Sequence, residues 1–129
     1  MRAVDTNVIV RYLANDDAAQ AARARRLLDR EDVFVSLTVL LETERVLRGV
    51  FGLAPADVVR SLRAFAGLRQ VTLESPAAAA RALDWAEQGL DFADALHLAA
   101  AQPHDGFVTF DRALIRAAQR LGAPPVQEP

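Results

Sequence analysis

At 129 residues, 52% hydrophobic and 25% charged, the chain has enough apolar material for one globular domain over residues 1–129, and no linker, repeat or change of composition divides it. Cysteine is absent, which excludes disulfides and thiolate metal centres, and the net charge of −2 argues against a strongly cationic nucleic-acid surface. No apolar run is long enough to span a bilayer, and the N-terminus lacks a signal-peptide core; the expectation is no membrane attachment and a reducing cytoplasm.

Ala3-Val4 reads as a very short strand ending at Asp5, and Asn7 to Ala14 as a helix capped by Asp5 or Thr6. Asp16 and Asp17 open a second helix to about Asp29. The β-branched and aromatic run Val33-Phe-Val-Ser predicts a strand. Ser36 or Thr38 then starts a long helix to about Val50, with Gly52 as a stop. Pro55 suits the first turn of a helix to about Phe65, and Val71-Thr-Leu is a third strand. Pro76 opens a helix to about Gln88, which Gly89 stops. Asp91 begins an alanine-rich helix that ends before Pro103. Gly106-Phe-Val-Thr-Phe predicts a strand, Asp111 caps a helix to Leu121, and Val126 lies in a final short edge piece.

Short strands separated by one or two helices predict an α/β, three-layer sandwich with a short, mainly parallel sheet and helices on both faces. In such sheets ligands bind beyond the carboxyl ends of the strands, at a reversal of strand order. Asp5 and Asp111 both fall at such ends.

Four acids, Asp5, Glu42, Asp94 and Asp111, are far apart in the chain. Each has a structural reading of its own. Asp5 and Asp111 are good helix caps, and Asp94 sits three residues after Asp91 in what resembles a capping box. Yet the helix from Asp91 to Ala101 is apolar nearly all round, so it reads as buried, and an acid in it needs a counter-charge, a metal or a proton. On the long third helix Glu42 and Glu44 border opposite edges of the apolar stripe, and the wheel does not choose between them; Arg48 offers Glu44 a partner one turn on. Two carboxylates about 5 Å apart at an effective dielectric near 20 repel by about 3 kcal/mol, a cost that divalent cations offset. With the four acids set aside the remaining charge is +2, carried entirely on arginine.

The segments Val4-Asp-Thr-Asn-Val, Leu40-Leu-Glu-Thr-Glu-Arg-Val-Leu, Asp91-Phe-Ala-Asp-Ala-Leu-His-Leu-Ala and Val108-Thr-Phe-Asp, in this order, resemble the PIN-domain family, most of all its VapC-type toxin ribonucleases. The resemblance covers essentially the whole chain. It implies a PIN-like fold and an endoribonuclease that depends on one or two Mg²⁺ or Mn²⁺ ions and cleaves RNA by metal-activated water. It favours Glu42 over Glu44, and makes Asp5, Glu42, Asp94 and Asp111 the catalytic, metal-holding set. Thr6 and Asn7 would brace Asp5 by hydrogen bonds, and Thr109 would bind a phosphate oxygen or a water. Asp91 would support Asp94 or only cap its helix, the cap being the simpler role. The resemblance also implies the toxin of a type II toxin–antitoxin pair, a small cognate antitoxin as partner, and a homodimer. The segment Val50, Phe51 and Leu53 suits either such an interface or ordinary core.

Neither histidine is placed as a general base: His97 reads as a core residue and His104 as an exposed turn residue. No serine is arranged with a base as a nucleophile. One rival is a PIN-like module that binds RNA or protein without cutting it. Another is a phosphatase of the haloacid dehalogenase type, but its Asp-x-Asp start is broken here by Asn7.

Overall fold

A parallel ladder organises the first half of the chain: β1 (Arg2–Ala3) pairs with β2 (Val33–Val35), which pairs with β3 (Val71–Leu73). The computed structural model describes residues 1–129, and their contacts divide into two compact units, Met1–Pro76 and Ala77–Pro129. Seven helices and short, exclusively parallel strands form the α/β architecture that the alternation of elements predicts.

In the first unit the strand order is β1-β2-β3, so the sheet advances in one direction and contains no reversal. The expected reversal is therefore absent from this sheet, and of the four candidate acids only Asp5 follows one of its strands. Val33 and Val35 are fully buried on the central strand, and the Val4 amide prolongs the ladder by donating to the Phe34 carbonyl at 3.0 Å. Asp5 then caps α1 (Thr6–Ala14), which buries Thr6, Ile9 and Val10 at helical spacing. Asn15, left-handed at φ 55°, ends it. In α2 (Ala18–Arg30) the Asp17 carboxylate accepts from the Gln20 amide at 3.0 Å. This helix buries mostly alanine, which lets α1 and α2 pack on each other.

Ser36 caps α3 (Leu37–Gly49), its hydroxyl accepting from the Val39 amide at 3.2 Å, and α4 (Pro55–Ala66) carries proline in its first turn. Helix α4 buries Val58, Val59, Leu62 and Phe65; side chains of this size contribute about 1.5–3 kcal/mol each when fully buried. The Tyr12 and Phe65 rings meet edge-on with centroids 5.8 Å apart.

In the second unit α5 (Pro76–Glu87) ends before Gly89, whose φ of +106° lets the chain turn sharply into the next cap. Helix α6 (Phe92–Ala100) follows, then β4 (Phe107–Val108), α7 (Arg112–Arg120) and β5 (Val126–Gln127). Strands β4 and β5 pair in parallel, Phe107 opposite Val126 and Val108 opposite Gln127. β4 is shorter than the sequence predicts, because past Val108 the chain bends at Phe110. Helix α7 is one-sided: Leu114, Ala117 and Ala118 are buried, while Arg112, Arg116 and Arg120 are exposed. No helix is long and apolar enough to cross a membrane.

Candidate active site

In the first unit, Asp5 leaves the carboxyl end of β1 and stands exposed at the start of α1. One carboxylate oxygen, Oδ1, accepts from the Thr6 amide at 2.8 Å, and the other has no protein partner. Thr6 thus braces Asp5 through its backbone. Its hydroxyl is buried and has no hydrogen-bond partner. Asn7 makes no hydrogen bond to Asp5 either. It is exposed and borders a groove of about 320 Å³ between α1 and α2, along with Val8, Arg11, Gln20 and Arg23.

Helix α3 packs against α1 and separates the two glutamates that periodicity left open. Glu44 is buried at 5% exposure and held by Arg48, with Oε2 2.8 Å from Nε. Glu42 is exposed and has no ion pair. Between them Thr43 is completely buried, its hydroxyl donating to the Val39 carbonyl at 2.7 Å. The inward acid is thus already neutralised, and Glu42 is the one with both oxygens available.

In the second unit two predicted acids, Asp94 and Asp111, lie within electrostatic reach of each other. Asp91 caps α6, accepting from the Asp94 amide at 3.2 Å, so the simpler role expected of it holds. Asp94 lies half-buried one turn inside the helix. Burial, then the charge of Asp91, then the charge of Asp111 push its carboxyl above the usual carboxylate range, and only His97 pulls the other way. Asp111 starts α7: Oδ1 accepts from the Leu114 amide at 3.1 Å, and its own amide donates to the Thr109 hydroxyl at 3.0 Å. The Thr109 oxygen thus orients the backbone of Asp111 and keeps its own O–H free to donate.

His97 is exposed, contrary to the core position expected for it. The reason is that α6 is not apolar all round. It buries Phe92, Ala95, Leu96, Leu98 and Ala99 and leaves an outer stripe of Asp94, His97 and Ala100, two of whose members are too small or too ambiguous to signal exposure.

Glu74 escaped the sequence reading. It follows β3 as Asp5 follows β1, and its carboxylate accepts from the Leu37 amide at 3.0 Å, satisfying a free donor at the start of α3. The strand-then-acid pattern that singled out Asp5 was the available signal.

No three or more histidine, aspartate or glutamate side chains form a group ready to hold a metal ion. The Asp94–Asp111 pair nevertheless fits a hard divalent cation. Its donors are carboxylate oxygens, neither acid has an ion-pair partner, and Asp111, after burial and Asp91, helps to raise the Asp94 carboxyl. Magnesium is typically held by only one or two carboxylates, with water and phosphate oxygens completing its shell.

No curated protein matches the chain. A family model described as PIN domain matches residues 2–120, running through both units and all four candidate acids. With nearly the whole length matched, the chain belongs to the PIN-domain family.

Proposed function

We propose that residues 1–129 act as a single PIN domain with Mg²⁺- or Mn²⁺-dependent endoribonuclease activity, the toxin of a type II toxin–antitoxin pair working in the cytoplasm. Membership of a family whose domains are generally metal-dependent nucleases supports the hydrolase reading. The observation that carries it is the family match, which runs through Asp5, Glu42, Asp94 and Asp111; Asp94 and Asp111, from separate elements, lack ion-pair partners, and Asp111 adds to the raising of the Asp94 carboxyl.

Asp94 and Asp111 would hold the ion, and Asp5 and Glu42, both exposed and lacking ion pairs, are the further acids of the set. When bound, the cation supplies charge neutralisation at the scissile phosphate and lowers the pKa of water. The chain's own part is positioning. Thr109 and the Leu114 amide fix the backbone and one oxygen of Asp111, which leaves its second oxygen directed by a rigid turn. Helix α6, anchored by five buried side chains, fixes Asp94 in the same way. His97, exposed one turn beyond Asp94, adds a positive field when protonated and lowers the Asp94 carboxyl.

The partners implied are RNA, a small cognate antitoxin and a second copy of the chain. Val50, 75% exposed beside half-buried Phe51, supports the last of these as an apolar contact surface.

Cleavage of single-stranded RNA in Mg²⁺ followed by end-group analysis tests the proposal. Products with a 5′-phosphate and a free 3′-hydroxyl are expected, and loss of cleavage on chelation. A 2′,3′-cyclic phosphate would rule out hydrolysis by water. Binding of RNA without any cleavage would make the chain a non-catalytic module.

A further inference from the structure

We infer that Phe110 is a stacking platform for a base of single-stranded RNA, and that Arg112 and Arg116 carry the phosphates that follow. The inference rests on the ribonuclease reading and gives it a substrate contact outside the acids.

Phe110 is 81% exposed, more than any other large hydrophobic side chain, and it is the only aromatic among the exposed ones. It immediately precedes Asp111 and makes no ring contact. Its position is fixed rather than mobile in its connections. On one side the Thr109 amide donates to the Gln127 carbonyl at 3.0 Å, and on the other the Asp111 amide donates to the Thr109 hydroxyl at 3.0 Å. A bend clamped at both ends thus holds an aromatic ring in solvent beside a candidate metal-holding acid. Val108, two residues earlier at the end of β4, is 59% exposed and adds apolar surface near the bend.

Electrostatics separates RNA from an apolar partner. Arg112 and Arg116 lie on the same face of α7, one helical turn apart, about 6 Å along the axis. Arg116 is exposed with no ion pair, and Arg112 meets only Glu128, at 3.2 Å, in a solvent-exposed pair of little strength. An exposed aromatic followed by arginines is the combination used for single strands: every base offers a π-face, and arginine meets the backbone. A duplex, its bases already stacked, cannot use the ring.

The test is equilibrium binding of a short labelled single-stranded RNA of mixed sequence, and of its duplex, in chelator so that no cleavage intervenes. Phe110→Ala should weaken single-strand binding about tenfold, within the range of base–aromatic stacking, and Phe110→Tyr should restore it. Duplex binding should change less than about twofold in either variant, and Arg116→Ala should reduce the salt dependence of single-strand binding by a slope of about 0.7. Single-strand binding by Phe110→Ala within about twofold of wild type overturns the inference. A changed sedimentation coefficient with unchanged RNA binding overturns it as well, making Val108 and Phe110 a protein interface. Metal-dependent cleavage with an unaltered KM in Phe110→Ala removes the platform and leaves the nuclease. Phe110-dependent binding without cleavage removes the nuclease and leaves the platform.

Discussion

Glu44 and Arg48 stand one turn apart on α3 and form a two-pronged ion pair, Oε2 2.8 Å from Nε and Oε1 3.3 Å from Nη2, which consumes the charge of the helix's buried acid. Glu42, two residues earlier and exposed, keeps its charge. Neighbouring glutamates therefore have opposite expected behaviour. Glu44→Gln should cost about 1–2 kcal/mol in urea unfolding, less than a fully buried pair because Arg48 is partly exposed, and should barely change the cleavage rate. Glu42→Gln should alter stability by less than about 0.5 kcal/mol and slow cleavage at least about a hundredfold. If the effects are exchanged, Glu44 is the working acid.

Asp94 supplies a pH prediction. Its carboxyl is raised by burial and by Asp91 and Asp111, so the folded chain holds that proton more tightly than the unfolded chain. Stability from this group is then fully present below the ordinary aspartate range and lost as pH rises through the raised pKa. At neutral pH, without metal, the ionised group is a burden. Metal-free Asp94→Asn should melt above wild type by on the order of 2 °C at neutral pH, and the gap should close on acidification. A variant that melts lower at neutral pH would show that the carboxylate is stabilising and the repulsion absent.

How far these assignments were legible from sequence depends on whether the deciding contact was local. The caps at Asp5, Asp17, Ser36, Asp91 and Asp111 bond within three residues, so composition revealed them. The Glu44–Arg48 pair is also local, at i and i+4, yet periodicity set both glutamates at the edge of the stripe, and only the packing of α3 buried one of them. Glu74 capping the helix that begins at Leu37 spans two elements and was illegible beyond the hint of an acid after a strand. His97 failed because small alanines mark neither face of α6. The orphaned Thr6 hydroxyl and the exposure of Phe110 depend on the path of the chain after a two-residue strand, which no pattern of apolar residues encodes.

Metal linkage tests the acids without any RNA. A cation that binds only the folded chain stabilises it by about 2.7 kcal/mol at a hundred times its Kd. Mg²⁺ or Mn²⁺ should raise the wild-type Tm, and Asp94→Asn and Asp111→Asn should each lose most of that rise. A wild type indifferent to both ions would remove the metal from the proposal.

The proposed homodimer has its own test. Val50 is 75% exposed just beyond α3, next to half-buried Phe51, and Leu53 is 37% exposed. Val50→Asp should shift sedimentation from dimer to monomer with the fold retained by circular dichroism. A wild type that sediments as a monomer at every concentration would end this reading.

Asp111 must be separated from its duty as a cap. Its Oδ1 accepts from the Leu114 amide at 3.1 Å, so truncation damages α7 whatever the side chain does in catalysis. Asparagine caps about as well as aspartate but carries no charge, whereas alanine does neither. Asp111→Asn should therefore stay within about 0.5 kcal/mol of wild type in urea unfolding, and Asp111→Ala should lose about 1 kcal/mol. Both should fail to cleave RNA if the charge is what matters, and Thr109→Val, which strips the partner from the Asp111 amide, should lose about 1 kcal/mol and slow cleavage only in part. An active Asp111→Asn would reduce this residue to a helix cap, and Asp94 would lose its companion.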